Sequence, residues 1–294
     1  MRITQSMLSQ DFLRQLNNST NNLATLQQQL TTGKKITKPS QDPVIATLGI
    51  GYRSDVNHVD QYSRNMDTVH QWMDSSDSAL DETNDVLQRL NELTTEASND
   101  TYTADQRANI EKEVGQLKNQ LVTIANTQVA GKYIFNGTNT STKPVNDDGT
   151  LNYDPDKMSD VNITVNNGIQ IKANVNPNDV FSQKLFDDID QLQDALKDSN
   201  SKGADISKYI SVIQGHMDNV TSAQADLGAR ENRVDLIDNR LSNQKEITEN
   251  IMSKNEDADF ETTLIDFQTQ QTIHNAALAV GSKIMQPTLV DFLS

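Results

Sequence analysis

Residues 45–97 read IATLGIGYRSDVNHVDQYSRNMDTVHQWMDSSDSALDETNDVLQRLNELTTEA, and their spacing decides the fold. From Ile45, steps of three and four alternate through Leu48, Tyr52, Asp55, Val59, Tyr62, Met66, Val69, Met73, Ser76, Leu80, Thr83, Leu87, Leu90, Thr94 and Ala97. That is the heptad rhythm of a helix packing along a seam. No proline interrupts residues 44–143, and a proline inside a helix costs about 3 kcal/mol. At 1.5 Å per residue the segment predicts a helix of roughly 80 Å, far longer than a small domain is wide.

The same rhythm recurs outward from this segment. Thr103 and Gln106 form a capping box opening a second helix with Ile110, Val114, Leu117, Leu121 and Ile124, expected to end near Gly131. A turn around Asn99 to Tyr102 makes these two an antiparallel pair. Helical spacing returns near Phe181, breaks at Ser199 to Gly203, and resumes from Ile206 through Ile251. Both termini repeat it: Phe12, Leu16, Ser19, Leu23, Leu26 and Leu30 at one end, and Phe260, Leu264, Phe267, Gln271, His274, Leu278, Gly281 and Met285 at the other. These two seams are expected to pair. Further apolar residues off the seam, among them Leu289 and Phe292, call for neighbouring subunits to cover them.

Residues 135–177 differ. Val161, Ile163 and Val165, then Ile169, Ile171, Ala173 and Val175, alternate on either side of Asn167-Gly168, a hairpin signal because both turn residues accept positive φ. The expected class is therefore mainly α: long antiparallel rod helices, paired terminal coiled-coil helices and a small β-rich insert. The expected parts are 1–40 with 255–294 as the terminal coiled coil, 41–134 with 178–254 as the rod, and 135–177 as an outer insert. Between the first helix and the rod, Pro39, Asp42 and Pro43 predict an ordered, non-helical connector, since each proline fixes φ and forces its predecessor out of helical geometry.

Composition narrows the function. The 294 residues are only 35% hydrophobic, with 30 Asn and 25 Gln, which suits thin bundles rather than one thick core. Forty-one acidic against 25 basic residues give a net charge of -16, which disfavours nucleic acid and anionic membranes as partners. No run of 18 apolar residues spans a membrane, and the N-terminus lacks the apolar region of a cleaved signal peptide. Without cysteine there is no disulfide, thiol nucleophile or cysteine metal site. Zinc-helix, phosphate-loop and nucleophile-elbow motifs are absent, and the four histidines are scattered. Asp187, Asp188, Asp190, Asp194 and Asp198 lack calcium-loop spacing and read as a solvated helix face. No enzyme chemistry and no cofactor are expected.

Four blocks carry a family resemblance: GKKITKPSQDPV at 33–44 with Leu26 to Leu30 before it, GKYIFNGTNTSTKP at 131–144, LGARENRVDLIDNRL at 227–241, and residues 258–293 along their full length. Together they resemble the flagellin-like family. Pro39-Ser40-Gln41-Asp42-Pro43 stands where filament flagellins carry a Ser-x-x-Asp-Asp-Ala-Ala continuation, which favours a junction subunit over filament flagellin, the alternative within the family. The resemblance implies a structural subunit between a hook-side hook-associated protein and the flagellin filament, assembling with its own copies as a ring. It also implies secretion to the extracellular flagellum by type III export, with a cytoplasmic chaperone on the C-terminal helix. The assembly interface it implies comprises Phe12, Leu16, Leu23, Leu26, Leu30, Phe260, Leu264, Phe267, Leu278, Met285, Leu289 and Phe292.

Overall fold

The computed structural model describes residues 5–199 and 201–284. Met285, Leu289 and Phe292 lie outside them. Along the chain run α1 (Gln5–Thr32), α2 (Pro43–Ala97), α3 (Ala104–Ala125), the short strands β1 (Gln128–Val129) and β2 (Lys132–Tyr133), and the hairpin β3 (Asn162–Asn166) and β4 (Ile169–Lys172). Then come α4 (Pro177–Val180), α5 (Gln183–Lys197), α6 (Gly203–Ile206), α7 (Lys208–Glu256) and α8 (Phe260–Ile284). They form two compact units, residues 59–243 and residues up to 58 with those from 244.

In the unit of residues 59–243, the α2 seam is the spine of the core. Val59, Met66, Val69, Met73, Leu80, Leu87, Leu90 and Ala97 are buried, and so are Ser76, Thr83 and Thr94 on the same seam. Each of those hydroxyls donates to the carbonyl four residues back, at 2.8, 2.7 and 2.7 Å, so no donor is stranded in the core. A second buried stripe, Trp72, Ala79, Val86 and Leu93, runs beside the first. Two stripes are needed because α2 meets partners on two sides. Arg89–Glu113 and Gln120–Glu82 tie it antiparallel to α3, and Gln224 of α7 donates to Asp81. Trp72 is thus core, and the heptad reading of one stripe explained only half of the buried face.

The fourth helix of this bundle is α5. It packs antiparallel on α3, with Lys118–Asp190 and Lys197–Glu111 at the two ends of the contact, and it meets α7 through His216 Nε2 and Asp188 Oδ2 at 2.8 Å. The acidic run is therefore not simply a solvated face: Asp188 and Asp190 are interhelical partners. The capping box expected at Thr103 is present. The second helix ends at Ala125 rather than near Gly131, because Asn126 caps it and Ala130 and Gly131 both take positive φ in the tight β1–β2 turn. The β3–β4 hairpin turns at Asn167-Gly168, with Gly168 at φ +74°, and slips register between Thr164 and Asn166.

Residues 135–177 do not stand apart from the helices. Phe135, Val145, Val165, Ile171 and Val175 share one continuous core with α2, α3, α5 and α7, and Phe135 meets Phe181 edge-on at 5.0 Å. Forty-odd residues with few apolar side chains cannot close a core alone. They borrow that of the bundle, which is why two units form where three parts were expected.

Replacing Leu87, fully buried, with Ala should cost about 2–5 kcal/mol in urea unfolding. The same change at Leu236 of α7, 72% exposed, should stay within about 0.5 kcal/mol.

Candidate assembly surface and its connector

The other unit holds the terminal helices. α1 and α8 pack antiparallel, with Phe12 against Gly281 and Ser19 Oγ 3.2 Å from His274 Nδ1. On α1 the half-buried face is the expected one: Phe12, Leu16, Ser19, Leu23, Leu26 and Leu30. On α8 it is Thr263, Phe267, Gln270, His274, Ala277 and Gly281. Phe267 thus faces inward as expected, but Phe260, Leu264 and Leu278 are exposed. The spacing alternated four and three in both readings; the choice of alternate positions differed. Large side chains at 264 and 278 suggested the seam; the inner face instead carries Thr263, Gln270 and Ala277 between the shared Phe267, His274 and Gly281. At Gly281 a Cβ would run into the Phe12 ring.

Several large apolar residues of α8 lie outside that face. At 100° per residue, Ile265, Ile273 and Val280 lie within about an 80° arc that runs from the side opposite the seam, at Ile265, round to its flank, at Ile273. Phe260, Leu264 and Leu278 flank the seam. Of α1, Met7, Leu8 and Leu13 are likewise exposed. An amphipathic pair with apolar residues on its outside is a surface made for further helices.

The connector is ordered and non-helical. α1 stops where Gly33, at φ +67°, donates to the Gln29 carbonyl. Residues 33–35 then lie against the break between α7 and α8: Lys35 N–H donates to the Glu256 carbonyl at 2.7 Å, and Ala258 N–H to that of Gly33 at 2.9 Å. Pro39 is the second residue of a turn closed by Gln41 N–H on the Lys38 carbonyl. Asp42 is the N-cap of α2, its Oδ1 accepting from Val44 and Ile45 N–H at 2.9 and 3.1 Å, and Pro43 occupies the first helical position, where its missing N–H costs nothing.

Charge fastens this junction. Glu256, 5% exposed at its side chain, takes both arms of Arg53, Nε and Nη2, at 2.8 Å each, while Lys34 lies 2.6 Å from Asp257 and 3.5 Å from Glu256. Gly49 makes room: a Cβ there would sit 2.5 Å from Glu256 Oε1. Hydrogen bonds from Lys34 and Ser253 hold the Asp257 carboxyl below the ordinary carboxylate range, and Asp257 raises Lys34 in turn. Asp259, the N-cap of α8, is lowered by the Thr262 hydroxyl and backbone N–H. Beside the junction a cavity of about 240 Å³ is lined by Ile36, Pro39, Ile45, Ile50 and Arg53. None of Lys34, Arg53, Glu256 or Asp257 carried a signal in the sequence, since ion pairs 200 residues apart have no local pattern.

Among the described residues no helix is long and apolar enough to cross a membrane, and no group of three or more His, Asp or Glu could hold a metal. What the geometry defines is a helical structural subunit with an unfilled apolar surface. Residues 3–140 match the bacterial flagellin N-terminal helical region, and residues 210–293 the bacterial flagellin C-terminal helical region. The chain belongs to the bacterial flagellin family. Within it, the chain is similar to flagellar hook-associated protein 3 of Escherichia coli strain K12, 26% identical over 94% of this chain and 95% of that protein. A flagellin of Clostridium tyrobutyricum is 31% identical, but over 43% of this chain and 34% of the relative. The solved flagellar hook associated protein-3 of Legionella pneumophila shares the fold at TM-score 0.61 and 14% identity, covering 69% of this chain and 97% of that one.

The pH range of the junction follows from its charges. Asp257 and Asp259 are depressed, so their stabilisation is present above the unfolded value of about 4 and is lost as pH falls through their folded values. Lys34 is raised, so its share is complete below about 10.4 and is lost as pH rises through its folded value. Amide exchange at Lys35 and Ala258 should accordingly loosen below about pH 4 relative to the 59–243 core, once corrected for intrinsic rates. At neutral pH, Glu256→Ala should speed exchange at both amides about tenfold, equivalent to about 1.4 kcal/mol, the low end for charge-assisted bonds partly screened by solvent.

Proposed function

We propose that this chain is a structural subunit of the bacterial flagellum, standing at the junction between a hook-side hook-associated protein and the flagellin filament. It works by helix–helix assembly, not catalysis. The observation that carries this reading is the outward face of α8, where Ile265, Ile273 and Val280 are exposed among the described residues. The hydrophobic effect makes such a face a site for neighbouring subunits. We assign the assembly contacts to α1 and α8, including exposed Phe260, Leu264 and Leu278; Met285, Leu289 and Phe292, assigned to the same surface, lie outside the described residues. Copies of the chain form a ring, one rim meeting the hook-associated protein and the other flagellin. Before export a cytoplasmic chaperone covers the C-terminal helix, and the chain leaves the cell by type III export.

Similarity to a hook-associated protein at 26% identity over 94% of this chain supports the junction over filament flagellin, whose relatives covering 81–89% of this chain are 22–24% identical.

Deleting the gene should leave hooks without filaments, with flagellin shed into the medium, as seen by electron microscopy and analysis of the culture fluid. A filament flagellin would instead leave no shed flagellin. Restoring the gene with Ile273→Asp should leave the monomer's stability within about 0.5 kcal/mol, because the site is exposed, yet fail to restore filaments.

A further inference from the structure

In the unit of residues 59–243, the four-helix part of the bundle stops short of the Val59 end. Glu113 and Gln120 of α3 lie beside Arg89 and Glu82 of α2, so in that register Ala125, where α3 ends, falls near residue 77. Thr127 accordingly shares a hollow with Asp74 and Ser78. α5 begins no further down, since its Asp190 and Lys197 meet Lys118 and Glu111 of α3. Among the described helices only α2 and α7 continue past this level. Two helices cover each other poorly: on the same α2 seam, Ile45 and Tyr52 are half-buried and Leu48 is exposed. Yet Met66, Val69 and Met73, with Val234 of α7, are fully buried, in one cluster with Val165, Ile171, Ala173 and Val175. The hairpin region is the layer that covers them.

We propose that the β3–β4 hairpin is a strap, pinned to α2 by Asn65 and to α7 by Arg230, that replaces α3 and α5 beyond their ends and holds α2 and α7 together there. Asn65 Nδ2 donates to the Thr164 carbonyl at 2.7 Å, where the hairpin register slips. Arg230 Nη1 donates to the carbonyls of Lys172 and Asn174 at 3.0 and 2.9 Å. Ala173 N–H donates to Val161 across the hairpin, so the Lys172 carbonyl points to the open edge of β4, which Arg230 fills. Asp226 steadies the guanidinium through Nη2 at 3.0 Å. Gln224 beside Asp81 sets the α2–α7 register, in which Arg230 stands opposite about residue 75, so the pins are about 15 Å apart along the helix axes. Fastened at two heights, once to each helix, the hairpin opposes both separation and sliding of α2 and α7. The hairpin borrows its core from the bundle, and this end of the bundle depends on the hairpin in return. The strap does not depend on the chain's place in the flagellum.

Amide hydrogen exchange in the full-length chain tests this, because each pin should protect the helix it does not touch. Arg230→Ala should speed exchange about fivefold or more across residues 66–73 of α2, and Asn65→Ala about threefold across residues 234–241 of α7, the effect of losing one or two hydrogen bonds. Residues 86–93 of α2 and 213–220 of α7, under the cover of α3 and α5, should change by less than about twofold. Alanine is a better helix former than either residue it replaces, so weaker helix propensity cannot produce the loss. Asn65→Ala, the milder change, decides the matter if Arg230→Ala lowers helix content by circular dichroism. For either variant, a change confined to the substituted helix or to the hairpin, an equal rise in both halves of the bundle, or no change overturns the proposal.

Discussion

A shortage of apolar side chains, 35% of the sequence, governs how this chain folds. Ordering each residue costs about 1–2 kcal/mol of backbone entropy, and a buried Leu or Phe returns about 1.5–3 kcal/mol. A long helix with one apolar residue in three or four is therefore stable only where neighbours cover its seam. In residues 59–243 the requirement is met: α2 buries two stripes among α3 and α7, α5 closes the bundle, and the hairpin region adds its own apolar residues to the same core. In the terminal pair it is met on one side only. α1 and α8 cover each other's inner faces, while Ile265, Ile273 and Val280 remain outside.

The polar atoms on the seams follow two different rules. In α2, the hydroxyls of Ser76, Thr83 and Thr94 return to their own helix, so they impose nothing on a partner. In the terminal pair, Ser19 reaches across to Gln270 and His274, so its satisfaction requires a particular neighbour. The first arrangement is satisfied within one helix; the second is satisfied across the pair. The same contrast appears at the connector, where Glu256 is buried only because Arg53 and Lys34 come from segments distant in sequence and Gly49 stands aside. A buried carboxylate without those cations would be costly, so the four residues form one interdependent unit.

Helix positions, the connector and the hairpin were legible from residue spacing because their causes are local. Heptad steps, the Thr103–Gln106 capping box, the Asn167-Gly168 turn and the proline-bounded segment after α1 each rest on neighbours within a few residues. The α1 face was legible for the same reason. The α8 face was only partly legible: both candidate stripes have heptad spacing and share Phe267, His274 and Gly281, and only the packing against α1 brings Thr263, Gln270 and Ala277 inward in place of Leu264, Gln271 and Leu278.

The sequence alone thus determined which long segments are helical, the cap at Thr103 and the break at residues 199–203, and that the helices would have to pack side by side, since propensity, caps and periodicity are properties of short stretches. Only the tertiary structure decided that residues 135–177 share the bundle's core, that Trp72 belongs to a second buried stripe, that Glu256 is paired with Arg53, and which side of α8 is left for others. Each of these depends on which distant surface arrives opposite a residue. That is set by the volume, charge and hydrogen-bonding needs of both partners together, and no local pattern carries it.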